Sequence, residues 1–342
     1  MRAQRFYADT RKFTVEDVPV PEPGPGEVLV KIAYCGICHS DLSLISGVVA
    51  SQLPVVTQGH EASGVISGIG PDVRGWNVGD RVVVAAGRYC GACPFCREGN
   101  LMSCARIELM AFAYDGGWAE YTVSRASGLT RVPDNVPLDQ AAILADAVAT
   151  PFGAIQHTAR VRVGESVGVW GIGGLGTHIV QLARLAGAAP ILAVDPKPSA
   201  RERALELGAD LALDPARSDF ADQVAALTGG KLLTTAFDAV GLNATVTQAL
   251  RSVSVGGQTV VVGLSDQEAT VGTTTAFGFS RKRLLGHLGY QESDIATLAA
   301  LVSLGRVDLS RSISAVVSLE DVAEGVSMLQ RGDDVVRVLV KP

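Results

Sequence analysis

Residues 167–187 read VGVWGIGGLGTHIVQLARLAG. A short apolar run meets three glycines, Gly171, Gly173 and Gly176, in the spacing G-x-G-x-x-G, and an amphipathic helical stretch follows. Glycine-rich turns are common, and this one gains meaning from its context, a strand before it and a helix after it. In that context Gly171 permits a tight turn and Gly173 lets the backbone approach a pyrophosphate. Gly174 and Leu175 complete the turn, and Gly176 lets helix and strand pack closely with the helix N-terminus facing the phosphates. Asp195 ends the next apolar run, PILAVD, nineteen residues beyond Gly176. A carboxylate there accepts hydrogen bonds from adenosine ribose hydroxyls and repels a 2′-phosphate, which favours NAD over NADP. Lys197 and Arg201 lie nearby and weaken that preference. Val262 and Leu264, at the end of QTVVVGL, are further candidate cofactor contacts. FAD enzymes share the fingerprint but usually carry it at the start of the chain.

From 165 to about 285, apolar runs alternate with helical ones: SVGVW, THIVQLARLAG, PILAVD, ARERALELG, TTAFDAVG, TVTQALRSV and QTVVVGL. Such alternation builds a parallel sheet with helices on both faces. The first third differs. EVLVKIAY, GVISGIG and DRVVVAAG are β-like runs set among proline- and glycine-dense turns such as PVPEPGPGE. LDQAAILADAVATPFGAIQHTA is helical in texture, with an interruption expected at Pro151. The end of the chain, from SISAVVSLEDV to VVRVLVKP, reads as strand, helix and strand returning to the first domain. The expected organisation is α/β: a β-rich domain over 1–147, a dinucleotide-binding domain over 148–287, and a return over 288–342.

A chain of 342 residues exceeds the usual span of one hydrophobic core. Its 47% apolar content and 38 glycines fit a well-buried α/β protein, and its net charge of −6 gives no reason to expect nucleic acid or an anionic membrane as a partner. The start, MRAQRFYADTRKF, is polar, and no apolar run is long enough to span a bilayer, so a cytoplasmic location is expected.

Six cysteines without a secretory signal point to metal chemistry. Four of them, Cys90, Cys93, Cys96 and Cys104, sit in RYCGACPFCREGNLMSCA with gaps of two, two and seven residues. Neighbours this close rarely reach relaxed disulfide geometry. Four thiolates describe a closed, structural zinc site in a lobe over about 88–106, and an iron–sulfur cluster is the other metal reading. Upstream, CGICHSDLS and GHEASG supply Cys38 and His60 as candidate ligands of a second, open zinc site, which needs only three protein ligands. Cys35 and Cys38 also form a C-x-x-C pair, but no thioredoxin-like βαβ pattern surrounds them.

The order CGICHSD, GHEASG, CGACPFC…C, DGGWAEY, GIGGLG and VVRVLVKP resembles the zinc-dependent medium-chain alcohol dehydrogenases over nearly the whole chain. The resemblance implies a GroES-like catalytic domain, a Rossmann domain, NAD and two zinc ions per chain. The absence of long insertions is similar to shorter microbial members, implying a homo-oligomer with a tetramer favoured over a dimer. It makes Cys38 and His60 ligands of the catalytic zinc. Asp146 stands where many relatives have a cysteine ligand, and an acid centred in the apolar run ILADAVA needs a partner. Glu61 is implied as a carboxylate that exchanges with water on the zinc, and Asp41 as the acceptor for the other ring nitrogen of His60.

Ser40 resembles the hydroxyl that takes the alcohol proton. A histidine often found three residues later is Ser43 here, so protons are expected to leave through water, ribose hydroxyls or His39. His39 and Arg337 match positions that touch the cofactor pyrophosphate. Leu42, Trp118, Ala147, Leu264 and residues near Leu288 are expected around the substrate, Trp118 also as packing. His157, His178 and His287 are read as packing or surface residues. The implied reaction is reversible hydride transfer between a primary or secondary alcohol and NAD. Reduction of a conjugated C=C bond on the same fold is the alternative, and a non-catalytic NAD-binding protein a third reading.

Overall fold

The computed structural model describes residues 1–332 and 334–342. Its residues fall into two compact units, one of Met1–Ala149 with Gln291–Pro342 and one of Thr150–Tyr290.

The first unit is organised on the eleven-residue strand Glu27–Ile37. Successive side chains of EVLVKIAY point to opposite faces, so Val28, Val30 and Ile32 turn together into the core while Glu27, Leu29 and Lys31 stay more exposed. Glu61–Ile69 pairs with this strand antiparallel on one side, while Tyr121–Arg125 and the terminal strand Arg337–Lys341 share the other. Arg81–Val84 and Leu129–Arg131 extend the sheet beyond Glu61–Ile69, and Ile313–Ser318 extends it beyond Arg337–Lys341 through a parallel pairing. A smaller sheet of Arg2–Tyr7, Lys12–Asp17 and Val55–Val56 covers part of the unit. The short strands Gly87–Arg88 and Glu108–Leu109 close the base of the cysteine-bearing lobe.

Register decides what meets at one end of this sheet. Gly36 pairs with Glu61 and Ile37 with Val338. One step further, the exit of Glu27–Ile37 delivers Cys38 beside the segment bearing His60 and beside Arg337. The chain then turns into the helix His39–Ser46, with Cys38 as its N-cap and Asp41 in the first turn.

The helical texture after Pro137 breaks at Asp146, not at Pro151. Leu138–Ala142 is α-helix and Ile143–Ala145 is 3-10, and Asp146 leaves helical conformation at φ −153°. Pro151 lies in the first turn of Ala149–Gly153, where its missing N–H costs no hydrogen bond.

The second unit is a six-stranded parallel sheet. Its order is Leu211–Leu213, Ile191–Val194, Val167–Trp170, Leu233–Asp238, Val253–Val261 and Arg283–Gly286. Every residue of Val167–Trp170 and Ile191–Val194 is buried, as a strand covered on both faces requires. The order reverses between Val167–Trp170 and Leu233–Asp238, the switch point at which doubly wound sheets bind dinucleotides. No described helix is long and apolar enough to cross a membrane.

Candidate active site

In the first unit Cys38, His60, Glu61 and Asp146 bring one ligand atom each to within 4.8 Å of one another. The Asp146 Oδ2 lies 3.4 Å from the Cys38 sulfur and 3.5 Å from His60 Nε2. Donor atoms about 2.0–2.3 Å from a tetrahedral zinc stand roughly 3.3–3.8 Å apart, so these separations fit one ion. Cys38 occupies a helix N-cap, where partial positive charge favours an anion. Burial alone disfavours a charged His60, yet the carboxylates of Asp41 and Asp146 outweigh it and hold the ring well above its ordinary pKa. Three acids around one imidazole call for a cation, and a divalent metal meets that demand.

Asp41 is fully buried and does something more local than expected. Its Oδ2 accepts the Cys38 N–H at 2.9 Å, and its Oδ1 accepts the Gly59 N–H at 3.4 Å. It therefore ties the two ligand-bearing segments together. His60 Nδ1 stands 3.6 Å from the same Oδ1, close enough for charge attraction but beyond a hydrogen bond. Gln58 adds to the brace by donating to the Asp41 carbonyl, and Gln4 donates to Gln58 in turn. Neither glutamine stands out in the sequence.

Glu61 is wholly buried, and neither carboxylate oxygen has a hydrogen-bond partner. Burial raises its carboxyl to about 7, against the pull of the Arg337 guanidinium 3.4 Å away. Arg337 is itself 2% exposed and donates to the Ile37 carbonyl at 3.1 Å. Gly36 makes room for this pair, since a Cβ there would overlap the Glu61 carboxylate registered opposite. Gly36→Ala is therefore expected to destabilise the fold by about 1–3 kcal/mol through overpacking. Denaturant unfolding beside Gly68→Ala, whose nearest neighbour is a leucine side chain at 3.3 Å, checks it. Equal losses in both variants would contradict the role given to Gly36.

Ser40 places its hydroxyl 3.6 Å from the Cys38 sulfur. Ser43 spends its hydroxyl on the His39 carbonyl one turn back, at 3.1 Å, and the His39 residue is exposed. Trp118 has no exposed surface and donates its indole N–H to the Gly36 carbonyl, so it packs behind the cluster. Ala147 is also fully buried, whereas Leu42 is partly buried.

The four sulfurs of Cys90, Cys93, Cys96 and Cys104 form the second cluster of the first unit. Cys93 lies 3.5 Å from Cys96 and 4.0 Å from Cys104, and Cys90 lies 3.9 Å from Cys96. Sulfurs 2.3 Å from a tetrahedral zinc stand roughly 3.8 Å apart, so a single ion fits. A cuboidal cluster, with each cysteine on a different iron, would spread them wider. All four are free thiols in the structure. Backbone N–H groups of Ala92 and Cys93 pull the Cys90 thiol down to about 5, while burial and its sulfur neighbours push Cys96 up to about 12. A cation is needed before all four can be thiolates together.

In the second unit the glycine turn has the expected form. Gly171 adopts φ +82°, and a Cβ on Gly176 would overlap the Gly171 carbonyl, which is how the helix Gly176–Leu185 comes so close to the strand. Gly173 faces open space. No backbone carbonyl among the described residues accepts the N–H groups of Gly173, Gly174 or Leu175, so three donors face the helix N-terminus where a pyrophosphate would sit. Asp195, 8% exposed, accepts the Ile172 N–H at 2.8 Å and the Lys197 N–H at 2.9 Å, fixing its carboxylate beside the turn. Arg201 is drawn back to the carbonyls of Asp195 and Pro196. Val262 is buried at the end of the fifth strand, and Leu264 and Leu288 are exposed. His178 is buried on Gly176–Leu185 and contacts the Gly174 carbonyl, His287 bridges Thr158 and the Thr150 carbonyl, and His157 is exposed.

Comparison with known proteins places this arrangement. Residues 24–134 match the alcohol dehydrogenase GroES-like domain, and residues 174–303 match the zinc-binding dehydrogenase domain. An NDMA-dependent alcohol dehydrogenase of Amycolatopsis methanolica is 33% identical, over 99% of this chain and 98% of its own. An alcohol dehydrogenase of Geobacillus stearothermophilus is also 33% identical, over 100% and 99%. The solved acetophenone reductase of Geotrichum candidum NBRC 4597, in complex with NAD, superposes with a TM-score of 0.90 at 29% identity, covering 100% of this chain and 97% of its own. A third of the residues shared end to end with curated dehydrogenases, in the same order of domains, means that the chain belongs to the zinc-dependent medium-chain alcohol dehydrogenase family.

Proposed function

We infer that this protein transfers a hydride, reversibly, between a primary or secondary alcohol and NAD, giving an aldehyde or ketone. The observation that carries the reading is the convergence of Cys38, His60 and Asp146 on one point, with the Ser40 hydroxyl beside them. These three side chains would hold the catalytic zinc, and Cys90, Cys93, Cys96 and Cys104 the structural one. When bound, zinc supplies Lewis acidity toward the substrate oxygen, and NAD supplies the ring that exchanges hydride.

The chain's own groups do the rest. Ser40 accepts the proton of the substrate hydroxyl and passes it on. Ser43 offers no base, its hydroxyl being held by the helix, so the proton leaves through water, cofactor hydroxyls or the exposed His39. Glu61, buried beside Cys38, His60 and Asp146 and paired with Arg337 at 3.4 Å, would offer its carboxylate to the metal in place of a water. We assign Arg337 first to that pairing, and its remaining donors, with His39, to the cofactor pyrophosphate. Gly171, Gly173, Gly174, Leu175 and Gly176 cradle the pyrophosphate, Asp195 takes the adenosine ribose, and Val262 and Leu264 complete the cofactor site.

Metal analysis run beside NAD⁺ reduction against primary, secondary, cyclic and aromatic alcohols tests the whole reading. Two zinc ions per chain with turnover of at least one alcohol class is expected, and about one zinc per chain or no turnover would sink it. Asp195→Ala should lower kcat/KM for NAD about tenfold to a hundredfold, the worth of hydrogen bonds to a charged group, and leave NADP unchanged or improved. Equal losses for both cofactors would show that Asp195 only braces the turn. We further propose a cytoplasmic homo-oligomer, a tetramer in preference to a dimer, which light scattering of the purified protein decides.

A further inference from the structure

A cavity of about 150 Å³ in the first unit shares no lining residue with the catalytic cluster. Three segments wall it: 85–91 with Leu101, which carry the chain into and through the four-cysteine lobe; Tyr114 with 124–128; and Glu292, the first residue of the helix Glu292–Ser303. Its chemistry is unusual for a packing gap. Arg88 lies over the Tyr114 ring at 3.8 Å and donates to the Val123 carbonyl at 3.0 Å, with Glu27 3.9 Å away. The Arg88 Nε is buried without a hydrogen-bond partner. Arg125 donates to the Tyr89 carbonyl at 2.9 Å but forms no ion pair among the described residues. Glu292 makes neither a hydrogen bond nor an ion pair among them, and burial raises its carboxyl.

Arg88 already faces Glu27, so the exposed Arg125 and the partly buried Glu292 are the two groups of opposite sign that line this small space without an ion pair among the described residues, open to a ligand that complements both signs. A molecule with one anionic and one cationic end does so. An apolar cavity of about this volume accommodates benzene, so about six non-hydrogen atoms fit. We propose that the cavity binds a small α-amino acid zwitterion, its carboxylate on Arg125 and Arg88 and its ammonium on Glu292. Tyr89 and Leu101 carry the lobe's side of the wall, so the ligand ties the four-cysteine lobe to the sheet.

Calorimetric titration and thermal melting of the zinc-loaded full chain test this with alanine, with propionate as the anion alone and with ethylamine as the cation alone. Alanine is expected to bind and to raise the melting temperature, with the other two at least tenfold weaker. Arg125→Gln and Glu292→Gln should each weaken alanine at least tenfold while zinc content stays the same. Gly128→Val fills the space and leaves every charged group in place, its new Cβ standing 3.9 Å from Ala85, Ser124 and the Glu292 carboxylate, and it should abolish binding in a normally folded protein. Absence of alanine binding, propionate equal to alanine, or unchanged alanine affinity in Gly128→Val would each overturn the proposal.

Discussion

Asp146→Asn should lower zinc from two ions per chain to one and cut kcat/KM by about 10³-fold, while the melting transition moves little. The substitution keeps the size and loses the charge that stands 3.4 Å from the Cys38 sulfur and 3.5 Å from His60 Nε2. An amide oxygen is a weaker donor for zinc than a carboxylate, and without the third ligand the ion is not retained. A metal Lewis acid stabilises developing charge by several kcal/mol, and every 1.36 kcal/mol is tenfold in rate, which sets the size of the loss. Asp146→Cys keeps the ligand charge and should retain the second zinc and most of the turnover. Asparagine and wild-type protein with equal metal content and equal rates would remove Asp146 from the catalytic set.

Cys93→Ser should act the other way round, on stability before chemistry. Cys93 stands 3.5 Å from Cys96 and 4.0 Å from Cys104, and losing one sulfur opens the tetrahedron. Structural zinc binds small peptides with roughly 10–16 kcal/mol of apparent free energy, all of it tied to folding. Here the ion orders one lobe of a larger chain, so a share of a few kcal/mol reaches the global transition, about 5–10 °C in melting temperature. Zinc content falls by one ion, and the folded fraction keeps its preference among alcohols. A variant that melts like wild type yet loses hydride transfer would contradict this division of labour between the two centres.

Much of this was legible in the residues. Ligand chemistry is a property of side chains and close spacing, so the cysteine quartet and the glycine turn could be read locally. The alternation of strand and helix likewise fixed a parallel sheet, because a strand buried on both faces must be apolar throughout. Legibility failed where conformation competes with composition. An alanine-rich run suggested a helix broken by proline, but proline is tolerated in a first turn, and the chain breaks instead at Asp146. Asp41 does stand beside the His60 ring, 3.6 Å from Nδ1, but the residues alone do not show that its oxygens also accept the N–H groups of Cys38 and Gly59. Hydrogen bonds of that kind depend on which strand ends lie side by side.

By itself, then, the sequence determined the inventory: which residues can hold zinc, which turn can hold a pyrophosphate, and that Asp195 ends the strand beside it. Only the tertiary structure decided that Asp146 meets Cys38 across 108 residues of chain and that Arg337 reaches Ile37 across 300. The first meeting follows from the turn that ends Ile143–Ala145 and presents Asp146 to the sheet end bearing Cys38. The second follows from β-sheet register, which pairs Gly36 with Glu61 and Ile37 with Val338. A shift of one residue would turn each side chain to the opposite face. Burial then sets the charge of what has been assembled. Glu61 and Arg337 are ordinary residues in a list, and a coupled pair only where water is excluded from both.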